Sequence, residues 1–270
     1  MGGRAALSWA YVGLLIGLPT ANLLYMAAKT GPSILWTQLS DRNAVHALAL
    51  TLIAALLAIL INTFFGVLLA LTLARQKFWG RTAVSILTDV PLTMSPVVAG
   101  LLLVTLYRQD GWLGKPLEGA GFTILNALPA IVIATLFVTL PLVTRELTPI
   151  LIQIGTEQEE ASITLGASRW QTFWRITLPA MKHGLGRGMT LTFARAIGEF
   201  GAAVVVSGNI IGKTQTMTLW VYQEASDFNY AGAYAGSVVL GLLSVSAFLL
   251  AEHERVRTAR KRRDLLTQIR

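Results

Sequence analysis

Four stretches of this chain, residues 5–28, 43–74, 119–144 and 228–251, contain no Asp, Glu, Lys or Arg. Each is longer than the roughly 20 apolar residues that carry a helix across a bilayer. In hydrocarbon every backbone amide must be satisfied within its own segment, so such runs are restricted to helices. Two weaker runs, 82–107 and 188–207, hold one charge (Asp89) and two (Arg195, Glu199), with Gly, Pro, Ser and Thr that membrane helices tolerate. The pattern predicts an all-α integral membrane protein: one transmembrane domain over residues 1–270 with spans near 7–28, 46–74, 82–107, 127–144, 188–207 and 229–251. It leaves 145–187 as an extramembrane island.

A soluble protein with a large core is the alternative. A mean hydropathy of +0.59 and 13% charged residues leave too little polar surface to coat one. Arg4 followed by an apolar run also suggests a cleavable signal, but the run is too long and lacks a small-x-small exit before Lys29, so it is read as a span. Basic residues near span ends resist export. With the N-terminus inside, Arg4, Arg75, Lys77, Arg81, Arg145, Arg169, Arg175, Lys182, Arg187 and seven tail residues fall inside, against Lys29, Arg42, Arg108, Lys115 and Lys213 outside. Both termini and the island are therefore expected in the cytoplasm.

The net charge of +8 does not signal nucleic acid. Arg255, Arg257, Arg260, Lys261, Arg262 and Arg263 directly follow the last span, where a basic block anchors topology on anionic membrane lipid, and no nucleic-acid fold precedes them. With no cysteine there is no disulfide framework or thiolate site, and His46, His183 and His253 lie too far apart to suggest a metal.

The island carries the punctuation of two short helices. Thr156-Glu157-Gln158-Glu159 has the form of a capping box, Glu157, Glu159 and Glu160 suit a helix start, and Gly166 suits its left-handed end. Ser168-Arg169-Trp170-Gln171 is a second box, after which Trp170, Phe173 and Trp174 share one face and Pro179 imposes a break or kink. On pattern alone two readings stand level: a docking knuckle with small residues Ala161, Ser162 and Gly166 open to a partner, or a loop packing its aromatics against the span ends.

At these residues the chain resembles the permease subunits of bacterial binding-protein-dependent ABC importers, whose motif runs Glu-Ala-Ala, three residues, Gly, nine residues, Ile-x-Leu-Pro. Glu160, Ala161, Gly166, Ile176, Leu178 and Pro179 match, and Ser162 replaces the second Ala. Pro91-Leu92-Thr93-Met94-Ser95-Pro96-Val97-Val98-Ala99-Gly100-Leu101 and Ala194-Arg195-Ala196-Ile197-Gly198-Glu199-Phe200-Gly201-Ala202 resemble the third and fifth spans of the W-type subunit of sulfate/thiosulfate importers. Asn209 and Lys213-Thr214 are closer to the T-type.

The resemblance implies the six-helix type I importer permease fold and a non-catalytic chain that carries sulfate or thiosulfate by alternating access. Its coupling island, with Glu160, Ala161, Ser162, Gly166, Arg169, Trp170, Ile176, Leu178 and Pro179, would dock on a separate ATPase. ATP and Mg would be used by that ATPase and no cofactor held by this chain. Implied partners are a T-type permease, two ATPase subunits and an extracytoplasmic sulfate-binding protein, in the bacterial plasma membrane.

Arg195 and Glu199 stand at i, i+4 inside the fifth span, where an unpaired ion costs roughly 2.5–3.5 kcal/mol on insertion scales; they fit either a gate or a structural pair. Asp89, Pro91, Ser95 and Pro96 predict a broken third span and, with Thr93 and Asn209, a polar cavity along the pathway. Gly212-Lys213-Thr214 is no phosphate loop, because only three residues separate Gly208 from Gly212 where four are required. Lys213, Thr214 and Gln215 are instead read as binding-protein contacts. Gly232 and Gly236 predict close helix packing. Rival readings are a homodimeric molybdate or tungstate permease, an ATP-independent transporter, and a membrane enzyme, the last lacking any acid/base or metal cluster.

Overall fold

The computed structural model describes residues 2–268, with side chains for residue 3 and residues 5–250. The basic tail block read above as a topology anchor lies outside the residues whose side chains are described. Among the described residues all regular structure is helical. The helices are α1 (Gly2–Val12), α2 (Leu18–Thr30), α3 (Pro32–Leu39), α4 (Arg42–Arg75), α5 (Arg81–Thr93), α6 (Pro96–Tyr107) and α7 (Gly114–Gly119). The second half adds α8 (Leu128–Ile154), α9 (Glu157–Thr164), α10 (Arg169–Thr172), α11 (Leu178–Ile197), α12 (Gly201–Ser207), α13 (Met217–Ser226) and α14 (Tyr230–Gln268). A π-helical turn, Gly13–Gly17, makes α1 and α2 one span, and a second, Phe173–Thr177, joins α10 to α11.

Among the described residues four helices are long and apolar enough to cross a membrane: Ala5–Thr30, Arg42–Arg75, Leu128–Ile154 and Tyr230–Leu250. The other two expected spans are each a bent pair, α5 with α6 at 113° and α10–α11 with α12 at 56°. The break after Thr93 falls where the prolines predicted it, yet the axis change is far larger than a kink. Met94 and Ser95 leave the helix in extended conformation, because Pro96 biases Ser95 away from helical backbone.

The centre of the bundle is α4 against α8. Along α4 the face Ala44, Ala47, Thr51, Ala54, Ala55, Ala58, Asn62, Gly66, Ala70 is buried, a small-residue stripe that lets backbones approach where lipid supplies no hydrophobic drive between helices. A methyl on Gly66 would sit 2.8 Å from Val143 Cβ. Asn62 donates to Leu136 O (3.0 Å) and Thr139 Oγ1 (2.8 Å). On α8, Thr135, Thr139 and Thr148 each donate to the carbonyl one turn back, so no hydroxyl there is left bare in the core. Outward faces carry Leu56, Leu60, Phe64, Leu101, Leu242 and Phe248, a lipid-facing surface.

Two helices extend into the stretch expected to lie outside the membrane. The island was placed at 145–187, but α8 runs on to Ile154 and α11 begins at Leu178. The charges that ended the apolar runs are paired, Arg145 Nε with Asp89 (2.8 Å) and Arg187 with Glu146 (2.7 Å), so the helices continue through them. Pro179 does not stop its helix either. The π turn before it absorbs the residue that lacks an amide proton, and the helix continues to Ile197. Gly232 and Gly236 pack as expected, onto Glu224 and onto Val221, Trp220 and Met217 of α13.

Candidate functional site

The island reduces to a compact knuckle over residues 155–177 at one end of the bundle. Helix α9 closes in a Schellman turn: Gly166 (φ 89°) sits in the left-handed region, its amide donates to Ile163 O (2.9 Å), and Ala167 N donates to Ser162 O (3.1 Å). The second capping box forms as predicted, with Gln171 N donating to Ser168 Oγ (3.2 Å) and Ser168 N to Gln171 Oε1 (2.9 Å). The first does not. Thr156 donates instead to Glu160 Oε1 (2.6 Å), because Glu159 is drawn away to Arg75 at the end of α4.

That interaction is the knuckle's anchor. Arg75 Nη2 meets Glu159 Oε1 at 3.0 Å, with the two side chains only 14% and 19% exposed. Arg75 Nη1 donates to Leu151 O of α8 (2.8 Å), and Thr177 donates to the same Glu159 oxygen (2.9 Å). Ser162 and Thr172 share a hydrogen bond of 3.1 Å between α9 and α10. Three elements, α4, α8 and the π turn, thus hold α9 in place. Sequence reading gave Arg75 only a topological role and Glu159 only a capping one, since a pair separated by 84 residues leaves no local signal.

The docking candidates therefore divide. Glu160, Ala161, Gly166 and Arg169 are exposed on the knuckle. Ser162, Ile176 and Leu178 face partly inward, Leu178 against the cluster of Ala70, Val143, Leu147 and Met181. Pro179 is exposed at the start of α11. Trp170 belongs to a different surface: it contacts Phe173 and Trp174 and lines, with Leu60, Phe64 and Leu68, an apolar groove of about 510 Å³ along α4. Trp170 and Trp174 remain 69% and 50% exposed along this groove, while Phe173 packs partly inward. Two residues missed by the sequence reading complete the exposed surface, Ile163 at 49% and Leu165 at 88% exposure. Their signal was a pair of large apolar residues flanking Thr164 at the end of a charged helix, the second directly before Gly166.

Deeper in the bundle the breaks of the two bent pairs meet. A side-chain carbon on Gly201 would lie 2.9 Å from Pro96 Cβ, and one on Gly100 2.9 Å from Ala202 O. Arg195 Nη1 lies 2.8 Å from Glu199 Oε2, and Glu199, 4% exposed, accepts the Ala202 amide through Oε1 (2.8 Å). Glu199 thus satisfies an amide that the start of α12 would otherwise leave open, which supports the structural reading of this pair. Ser95 and Thr93 adjoin this junction, and Thr93 donates to Val90 O. Asn209 (φ 48°) lies at the opposite end of α12, about 10 Å on at the helical rise. Thr93 and Ser95 thus stand at the break of the third span and Asn209 at the far end of α12.

At the far end, the 208–216 loop corrects a second expectation. Thr214 is 0% and Gln215 1% exposed; Thr214 donates to Ser207 O (2.6 Å) and accepts the Ile210 amide (3.1 Å). Thr214 staples the turn through its side chain and Gln215 through its backbone amide to Ile210 O (3.1 Å), and both side chains are buried away from a binding protein. Lys213 alone of the three is exposed. Nearby on α13, burial pushes Glu224 above the usual carboxylate range, opposed by the Asn229 amide and reinforced by Asp227 and Asp41. The folded state therefore holds this proton more tightly than the unfolded chain, and stability is lost as pH rises through the raised value. Glu224→Gln is expected to raise the melting temperature at neutral pH, with the gap to wild type closing on acidification in detergent scans.

The chain is thus a polytopic helix bundle with broken spans at its centre and a tethered helical knuckle at one end. The model of the family described as binding-protein-dependent transport system inner membrane component matches residues 63–258, and the chain belongs to that family. It is 44% identical over 95% of its length, and 90% of the relative's, to the sulfate transport system permease protein CysW of Synechococcus elongatus. To the Escherichia coli K12 proteins it is 38% identical for CysW (88% and 84% covered) and 35% for CysT (89% and 86%). The fold matches the bacterial alginate ABC transporter crystallised with its periplasmic protein, with a TM-score of 0.76 at 20% identity over 94% and 93% of the two chains.

Proposed function

We infer that this chain is the W-type permease subunit of an ATP-driven sulfate importer. The carrying observation is the near full-length identity to sulfate permeases named CysW, which exceeds that to the CysT protein of the same bacterium. The same relatives favour sulfate over the molybdate alternative. The expected partners are a T-type permease, two ATPase subunits that use ATP and Mg, and a binding protein that meets Lys213 and the adjoining turn.

In this reading the exposed face of Glu160, Ala161, Ile163, Leu165 and Arg169 seats in the ATPase. Closure of the ATPase dimer then moves α9. Because Glu159 is fixed to Arg75 and Thr177, that motion passes to α4, α8 and α11 rather than dissipating in a loose loop. The junction of broken spans at Pro96 and Gly201 is where these elements change direction, which makes it the region expected to open and close.

Orientation is tested first. The native chain has no cysteine, so single-cysteine variants report sidedness directly. A cysteine at Leu165 is expected to react with an impermeant maleimide only from the cytoplasmic side, and one at Lys213 only from the opposite side. Reaction of both from one side contradicts the topology.

A further inference from the structure

A cavity of about 440 Å³ opens between the knuckle-side ends of α4, α5 and α8, away from the Pro96–Gly201 junction. Its polar lining comes from two facing helix surfaces, Arg81, Thr82, Ser85 and Asp89 on α5 and Arg145 and Thr148 on α8. Asp89 and Arg145 neutralise one another across the cavity mouth at 2.8 Å. Arg81 has no such partner: among the described residues its guanidinium makes no ion pair or side-chain hydrogen bond. The hydroxyls of Thr82 and Ser85 are likewise uncommitted, whereas Thr88 and Thr148 spend theirs on their own helices.

We propose that this cavity binds a tetrahedral oxyanion, sulfate or the phosphate of an anionic lipid headgroup. One unneutralised guanidinium offers a planar set of donors suited to such an oxyanion, and two free hydroxyls and the outer N–H groups of Arg145 add directional ones. Asp89 fixes Arg145 and offsets its charge, which keeps the site weak. A weak site suits an anion that must leave. On the topology inferred above, the cavity faces the cytoplasm. For the choice of sulfate the proposal rests on the importer reading, while the donor set itself does not.

The test uses the full-length chain in nanodiscs of phosphatidylcholine alone, with radiolabelled sulfate, and orthophosphate in parallel. Neither ATPase nor transport is required, so the result is independent of the importer reading. Wild type is expected to bind saturably, Arg81→Gln to weaken binding at least ~10-fold, and Arg81→Lys to retain part of it. Ser85→Asp, which keeps the arginine and adds a negative charge, is expected to weaken binding similarly. Lys115→Gln, at the other end of the bundle, serves as the unaffected control.

In a second arm, native mass spectrometry after purification from membranes containing phosphatidylglycerol reads lipid retention. Retention that Arg81→Gln abolishes, without sulfate binding, assigns the site to the headgroup. If Arg81→Gln and Ser85→Asp change neither sulfate, phosphate nor lipid binding, the site does not exist.

Discussion

Replacing Leu165 with aspartate is expected to abolish association with the ATPase subunit while leaving the membrane bundle intact. Leu165 is 88% exposed at the tip of the Schellman turn. An apolar side chain so placed on a charged helix has no role in this chain's own core, which is the usual mark of an anchor for a partner. Losing a buried anchor and introducing an unpaired carboxylate costs an interface on the order of 2–4 kcal/mol, roughly 30-fold to several-hundredfold in affinity. Co-purification of the ATPase with tagged chain reads this directly, and the detergent melting curve of the chain alone should not move. A substitution at Gly166 is a poorer probe. Any side chain there is strained at φ 89°, so lost binding would report a broken turn as readily as a blocked approach.

Arg75→Ala is expected to uncouple transport from ATP hydrolysis with the ATPase still bound. The substitution leaves Glu159 with Thr177 alone and removes the donor to Leu151 O. Breaking a largely buried pair by deleting one partner costs about 3–5 kcal/mol, enough to let α9 move without α4 and α8. ATPase activity should persist while uptake falls at least tenfold. The same defect is expected from Glu159→Gln in smaller degree, because the amide oxygen still accepts Thr177. Arg75→Lys should restore part of the coupling, although lysine cannot span Leu151 O and Glu159 with two fixed N–H groups. Equal loss of ATPase binding in Arg75→Ala would assign the pair to folding of the knuckle instead.

How much of this was legible in the sequence depended on whether the signal was local. The long charge-free runs fixed four spans, because a helix in lipid must satisfy its own backbone and composition alone decides that. Gly166 and the Ser168–Gln171 box were readable for the same reason, since caps are satisfied within a few residues. The helices run past 145 and 187, which local charge does not reveal, because Asp89 and Glu146 on neighbouring elements pair with Arg145 and Arg187. Glu159 formed no capping box because a distant arginine competed for its carboxylate. Thr214 and Gln215 looked exposed as members of a Gly-Lys-Thr loop, yet the turn folds both inward. In each case a contact tens of residues away, or the sense in which a turn closes, overrode the local pattern.

The most direct test of the account is ATP-dependent uptake of radiolabelled sulfate into proteoliposomes containing this chain, a T-type permease and the ATPase, with binding protein supplied to the face bearing Lys213. The account predicts uptake that requires ATP and binding protein, is not displaced by molybdate, and is lost with Leu165→Asp. Sulfate uptake that proceeds without ATP, or that survives Leu165→Asp unchanged, would contradict it.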